Sequence, residues 1–355
     1  MIRIDGAAGE GGGQVLRSAL TLSLLTGKPF KIVNIRAGRH KPGLMAQHLQ
    51  AVAAAAAVGG ARVEGAHPGS TSLVFVPAAL RPGHYRFEIG TAGSTSLVLQ
   101  TVLLPLAFAR GSSTLEITGG THVAWSPCYH YLELHWLPYL REMGLAVELA
   151  LVRAGFYPRG GGQVTARIRP ATPLRGLSLV ERGRLTRISC LSAVAHLEQS
   201  VAERQSREAL ARLAGLTAQI ESRNISLPSP GKGTVFLTLA EFERTRCCYY
   251  ALGERGKPAE RVAEEAVDAF LAFLDTDGAI DEFLADQLLL PLALAHGTSE
   301  LRTARVTPHL LTNAEVIRRF LSARIEIIGS PGKAGLVRIQ GDPAAMSAAK
   351  ARHKP

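Results

Sequence analysis

The sequence predicts an α+β protein of three repeated βαβαββ units with a smaller α/β domain inserted into the third. Three observations carry this prediction. Runs of period 2 and runs of helical period succeed one another in the order βαβαββ, and that order then recurs. Within the three units the two helix starts lie about 30, 35 and 34 residues apart, a regular spacing of the kind structural repeats show. The third unit closes only if residues 193–275 are skipped, and that stretch has helices and strands of its own.

In the first unit, residues 1–5 alternate as a strand and run into the glycine-rich 6–13. A helix over 14–26 is stopped by Gly27, and 30–35 form the second strand. Pro42 opens the next helix, Gly59 and Gly60 close it, and strands follow near 62–64 and 72–76. The second unit has a strand at 85–88, a helix capped by Ser94 and running to Arg110, and a strand at 113–118. A helix over 129–143 and strands near 145–152 and 163–168 complete it, with kinks expected at Pro105 and Pro138. The third unit is assembled from a strand near 185–191, a helix over 280–295, a strand at 299–306, a helix over 314–321 and strands at 324–328 and 336–340. Thr312 and Glu315 offer that last helix a capping box, which leaves His309 in the loop ahead of it. Inside the insert, helices 200–214 and 259–274 flank strands at 218–222 and 234–239. The phrases Ser-Pro-Gly-Lys at 229–232 and 330–333 are expected to be hairpin turns. The expected division is 1–183 for the first two units, 184–277 for the insert (its first strand pairing with the third unit), 278–340 for the third unit and 341–355 for a basic tail.

With 46% hydrophobic and 19% charged residues over 355 positions, the composition is that of a globular chain with a sizeable core, not a disordered one. A net charge of +11 favours a polyanionic partner, but charge alone does not separate RNA, DNA, nucleotide and membrane surface. The cysteines at 128, 190, 247 and 248 have no metal-ligand spacing, so a reducing cytoplasm is the expected location. The sequence carries no secretion-like leader and no apolar run long enough to span a bilayer.

Three loops stand at equivalent places, before the second helix of each unit: 36–42, 119–127 and 307–313. The first holds Arg36, Arg39, His40 and Lys41, which suit phosphate oxygens or are merely a solvated basic loop; Arg17 on the preceding helix is placed to face them. The second carries Thr121, His122 and Trp125. The third carries His309, a candidate base, metal ligand or nucleophile beside a helix N-terminus attractive to anions. Gly9–Gly13 let backbone approach a phosphate, without the lysine and hydroxyl of a P-loop, and Glu10 among them could hold a divalent ion. Gln47 and His48 at the entry of an alanine-rich helix, and Gln100 inside an apolar one, are ligand contacts or satisfied core hydrogen-bonders. In the run Phe283, Leu284, Ala285, Asp286, Gln287, the carboxylate beginning an apolar helix is costly unless it is paired or bound.

The words GEGGGQVLRSALTLS, IRAGRHKPGLMAQHLQA, GTAGSTSLVLQT, GFYPRGGG, FLADQLLLPLALA and the late HLLTN resemble, in order and spacing, the RNA 3′-terminal phosphate cyclases, over nearly the whole chain. That resemblance implies repeated units like the C-terminal domain of translation initiation factor 3. It implies an ATP-dependent closure of an RNA 3′-phosphate to a 2′,3′-cyclic phosphate, through a histidine–AMP and an adenylylated RNA end, with Mg or Mn as metal. By the same resemblance His309 matches the nucleophile and Glu10 the metal-binding carboxylate. Arg17, Arg36, Arg39, Gln47 and His48 match residues around the phosphates and the RNA end. Gln100 and Phe283 to Gln287 match ATP-contacting positions, with Phe283 stacking on adenine and Asp286 orienting the histidine. The second-unit loop, THVAWSPCYHYL, departs from the family pattern of an Asp-Asn and a Pro-Pro pair, which leaves His122 and His130 without a family role. A non-catalytic cyclase-like RNA-binding or ribosome-assembly protein is the alternative, and the presence of His309 argues against it. Enolpyruvyl transferases share repeated units and basic anion sites, but use neither a histidine nucleophile nor the KPGL–QH word.

Overall fold

The computed structural model describes residues 1–344, so the basic tail expected at 341–355 lies, from residue 345 on, outside the described residues. The first βαβαββ stretch consists of β1 (Ile2–Asp5), α1 (Gly13–Thr26), β2 (Phe30–Val33), α2 (Ala46–Gly59), β3 (Arg62–Glu64) and β4 (Leu73–Val76). Its sheet has the order β1-β2-β4-β3. The second comprises β5 (His84–Glu88), α3 (Thr95–Ala107), β6 (Ser113–Gly119), α4 (Tyr129–Tyr131), a π-helical turn (Leu132–Trp136), α5 (Leu137–Glu142), β7 (Val147–Arg153) and β8 (Gly162–Ile168). Its order is β5-β6-β8-β7. After β9 (Ser178–Leu179) come β10 (Leu185–Ala195), α6 (Gln199–Leu213), β11 (Gln219–Ser226), β12 (Gly233–Phe242), β13 (Arg246–Leu252) and α7 (Ala259–Leu274), whose sheet runs β11-β10-β12-β13. The chain ends with α8 (Glu282–Ala293), β14 (Thr298–Thr303), α9 (Pro308–Phe320), β15 (Arg324–Ile328) and β16 (Gly335–Gln340), in the order β9-β14-β16-β15.

All four sheets consist of a parallel pair and then two antiparallel pairs, but only three share the order first, second, fourth, third strand. A parallel pair requires a crossover, and in those three α1, α3 and the long passage ending in α8 supply it. Burial alternates along strands such as β6, so each sheet turns one face to the helices. Helix α1 is buried nearly all round, lying among α2, α3 and α9, and its buried Ser18, Thr21, Ser23 and Thr26 hydroxyls are hydrogen-bonded. The fourth sheet is covered on one face by α6 and α7 through Ile188, Phe236, Val267 and Phe270. Its other face, with Val235, Leu237 and Leu239, joins the main core.

The strand expected to complete the third unit is placed differently. Residues 185–191 belong to β10, which pairs with β11 and β12, and the two-residue β9 takes the place beside β14. Eleven residues long and buried on both faces toward its end, β10 is the better centre for a sheet, while the third unit needs only an edge. Residues 229–232 are no hairpin either: they join β11 to β12 across the end of β10, whereas 330–333 do join the antiparallel neighbours β15 and β16. Ahead of Pro138 the helix forms a π turn in place of a simple kink, the Leu137 N–H reaching the Leu132 carbonyl.

Candidate active site

Helix α9 starts six residues earlier than its sequence suggests. Pro308 occupies its first turn, where a missing N–H costs nothing, and the Thr307 hydroxyl accepts the Leu310 N–H at 3.0 Å. His309 therefore sits in the first turn of the helix, half-exposed, and Thr312 is released from capping. The Thr312 hydroxyl instead accepts the Glu10 N–H at 2.9 Å and pins the glycine-rich turn to α9. Gly9, at φ 62°, passes so close that any side chain there would collide with Thr312.

Three helices converge on His309. Gln14, in the first turn of α1, directs its amide nitrogen to both carboxylate oxygens of Asp286 on α8, each at 2.7 Å. Asn313 on α9 donates to Asp286 Oδ1 at 3.0 Å, and its own oxygen accepts from Ser18 Oγ at 2.8 Å. With the nitrogen of Gln14 committed to the carboxylate, its oxygen is left facing His309 Nδ1 at 2.8 Å and can only accept. Nδ1 must then carry the ring proton, and Nε2 keeps a free lone pair. Burial pushes the imidazole below its ordinary pKa; the Asp286 charge opposes this, and Arg17 and Arg39 add to it. Burial raises the Asp286 pKa, and His309, the amides and Arg17 restrain that rise.

Around this ring the charges are unevenly matched. One oxygen of Glu10 pairs with Arg39. The other, Oε2, is buried without a hydrogen-bond partner, 3.7 Å from His309 Nδ1. The Arg17 guanidinium makes no hydrogen bond or ion pair to a protein group among the described residues, and desolvation lowers its pKa to about 10 despite Asp286. A half-buried guanidinium without a fork partner suits an incoming anion. His48 lies beside it, 4% exposed, both side chains crossing the bare Cα of Gly13. Its Nδ1 accepts the Met45 N–H at 3.1 Å, and burial with Arg17 and Arg36 holds its pKa down at about 3, so Nε2–H is a neutral donor.

A family model described as "RNA 3'-terminal phosphate cyclase" matches residues 8–327 of the chain. The chain belongs to that family. It is 48% identical over 340 residues to the RNA 3′-terminal phosphate cyclase of Ralstonia nicotianae, covering 96% of each chain. It is 45% identical to that of Methylococcus capsulatus, with 97% and 98% covered, and to that of Pyrobaculum neutrophilum, with 92% and 94% covered. A solved enolpyruvyl transferase, NikO from Streptomyces tendae, aligns at 11% identity and a TM-score of 0.37, over 97% of this chain and 49% of its own.

Of the positions matched to the cyclase family by resemblance, His309, Glu10, Arg17, Arg39, His48 and Asp286 do come together here. Others have different immediate partners. Arg36, left-handed at φ 55°, directs Nη1 to the Lys41 and Gly43 carbonyls at 2.8 and 2.9 Å and so shapes its own loop. Gln47 accepts the Ser94 N–H at 3.3 Å. Gln100 donates to Gln287 Oε1 at 2.8 Å, joining α3 to α8. Leu284 and Ala285 have buried side chains and offer a ligand only backbone, while Phe283 is 52% exposed beside Tyr249. Asp286 does not touch the histidine directly, because Gln14 stands between them.

The sequence reading of the cyclase site missed Gln14 and Asn313. Asn313 follows His309 by four residues, on the same helix face, and Gln14 ends the glycine-rich word; both signals were there to use. It also missed Asp281, which caps α8 through Leu284 N at 2.9 Å. The same carboxylate receives Tyr131 Oη at 3.0 Å and His135 Nε2 at 2.6 Å from the π turn region, so α8 is held from two sides.

Proposed function

We propose that this chain, with ATP, converts an RNA 3′-terminal phosphate to a 2′,3′-cyclic phosphate, through a covalent AMP on His309 and an adenylylated RNA end. What supports this reading most is the relay from Asp286 through Gln14 to His309, which leaves Nε2 unprotonated in a site whose Arg17 guanidinium has no protein partner among the described residues. In the first step the Nε2 lone pair bonds to the α-phosphorus of ATP, and the bond to pyrophosphate breaks. A 3′-phosphate oxygen then displaces the imidazole, forming the RNA–AMP anhydride. Finally the neighbouring 2′-hydroxyl closes on the 3′-phosphorus, giving up its proton, and AMP departs. Activation is required because a phosphate monoester dianion has no usable leaving group. The protein contributes mainly alignment, which can lower such barriers by ~7–11 kcal/mol.

The donor set fits a divalent ion. Glu10 Oε2 is a buried acceptor with no partner, and no cluster of three or more ligating side chains occurs among the described residues. Mg or Mn held by one carboxylate, with phosphate oxygens and water, is the common arrangement at nucleotides. The ion would neutralise charge on the triphosphate. Arg17, Arg39 and His48 hold phosphate oxygens, and Phe283 offers its face to adenine. We further propose that the three like-ordered sheets are repeats of one unit, that the fourth sheet with α6 and α7 is a small inserted domain, and that the chain works in the cytoplasm, where its four free, buried cysteines stay reduced.

Incubation with α-labelled ATP and metal should label the protein through a bond that is acid-labile and alkali-stable. His309→Ala should abolish both label and cyclisation with the fold unchanged, since the side chain is half-exposed. Labelling retained in that variant would move the nucleophile elsewhere, His48 first.

A further inference from the structure

The second-unit loop carries a feature that the chemistry above does not use. Trp125 is 100% exposed and its backbone is left-handed, at φ 63°. Tryptophan is usually largely buried, and a side chain with a Cβ avoids this conformation, so its surroundings must hold it there. They do: Ser126 Oγ donates to the Val123 carbonyl at 3.2 Å, and Tyr250 of β13 donates to the Ser126 carbonyl at 2.5 Å. His122, three residues earlier, bridges Phe156, and the next residue, Tyr157, is 77% exposed.

Basic groups flank the β7–β8 turn that carries Tyr157. Arg153, Arg159 and Lys232 are exposed, and none pairs with a carboxylate among the described residues. Arg153 Nε donates to the Gly161 carbonyl at 2.8 Å, and a Cβ on Gly231 would lie 3.2 Å from that of Arg159. The Ala154 N–H reaches the Pro228 carbonyl at 2.7 Å, so the β7–β8 turn and the crossover bearing Lys232 form one surface.

That surface continues to the nucleophile's surroundings. Gly160 packs on Ala92, whose Cα would lie 2.8 Å from a Cβ there. A Cβ on Gly93 would lie 3.0 Å from that of Gln47, which also accepts the Ser94 N–H. Gln47 is the neighbour of His48. We propose that this surface holds the single-stranded body of the RNA, the nucleotides 5′ of the phosphorylated end. Trp125 and Tyr157 are stacking platforms for unpaired bases, and Arg153, Arg159 and Lys232 meet backbone phosphates. Fixed exposed aromatics among unpaired cations suit a stacked polyanion and reject a duplex, whose bases are already stacked. The inference rests on RNA being the substrate.

Fluorescence provides a direct test, because the chain has two tryptophans. Trp136 is 4% exposed and its Nε1 has no hydrogen-bond partner, so Trp136→Phe forfeits no bond and leaves Trp125 as sole emitter. An oligouridylate of about ten nucleotides with a 3′-phosphate should quench that emission saturably, and a 3′-phosphorylated dinucleotide should not. Trp125→Ala should weaken binding of the longer strand, read from anisotropy of a 5′ label, by about tenfold or more, and Trp125→Phe should restore most of it. Undiminished binding in Trp125→Ala, or full binding with no change in Trp125 emission, overturns the proposal. So does an emission shift that follows protein concentration without RNA, which would give the patch to a second copy. If the wild type neither binds nor cyclises either strand, the RNA reading itself falls and this inference with it.

Discussion

At the scale of single residues, the site depends on an amide more than on a carboxylate. Gln14 has one donor end and one acceptor end, and Asp286 claims the donor. The acceptor then sets the tautomer of His309. Gln14→Ala should keep the His309 imidazole but free its ring to rotate and exchange tautomers. Partners of this outer kind cost roughly 10–100-fold when removed, and a loss of that size is expected in the rate of protein labelling, with KM for ATP little altered. Equal rates in variant and wild type would show that the relay has no role in orienting the ring. Arg36 carries two tasks in one side chain. The sequence offers it, with Arg39, as a phosphate fork or as part of a solvated basic loop, and in the fold its Nη1 braces that loop through the Lys41 and Gly43 carbonyls. Four basic residues among six show that a loop is basic, and only the fold shows which atoms of each are already engaged.

At the scale of elements, the N-termini of α1 and α9 bring Gln14 and His309 together across the glycine-rich turn. The order of that meeting rests on the cap of α9. Thr307 satisfies the Leu310 N–H, and Pro308 fixes the first turn, so His309 inherits a defined direction. Thr307→Ala should destabilise the protein by about 1 kcal/mol, seen as a lower urea midpoint at unchanged slope. Labelling should fall in parallel, and Thr307→Ser should recover both. A variant with normal stability and normal labelling would mean that the helix start is held by tertiary contacts alone. The misplaced start of α9 in the sequence reading has a plain cause: Thr312 and Glu315 make a capping pattern, but a threonine that can cap can equally bind a neighbouring turn, as Thr312 does with Glu10.

At the scale of the whole molecule, three buried histidines couple folding to acid. Burial lowers the pKa of His48 to about 3 and of His130 to about 4, and holds His122 well below its ordinary 6.5. The unfolded chain therefore binds more protons than the folded one below the ordinary imidazole range, and the stability present above pH 6.5 is lost as pH falls toward the folded values. Each histidine should contribute a slope of roughly 1.4 kcal/mol per pH unit across that window. Urea titrations between neutral and mildly acid pH should show the fall, and His130→Asn should flatten it. No change in slope would mean that His130 is solvated in the native state.

Short stretches of sequence were enough to reveal the succession of strands and helices, the glycine turn ahead of a helix, the cluster of chemically active residue types and the family resemblance. All of these depend on local periodicity, turn chemistry or residue identity, which are properties of short stretches. Tertiary structure decided where β10 pairs, since both candidate sheets accept an alternating strand and only packing of α6 and α7 against Ile188 and its neighbours selects one. It decided that Glu10 keeps one oxygen unpaired and that Gln14 stands between Asp286 and His309, residues about 270 to 300 positions apart in sequence whose meeting no local pattern encodes. It also left Trp125 in the open, because an exposed side chain has no periodicity to announce it.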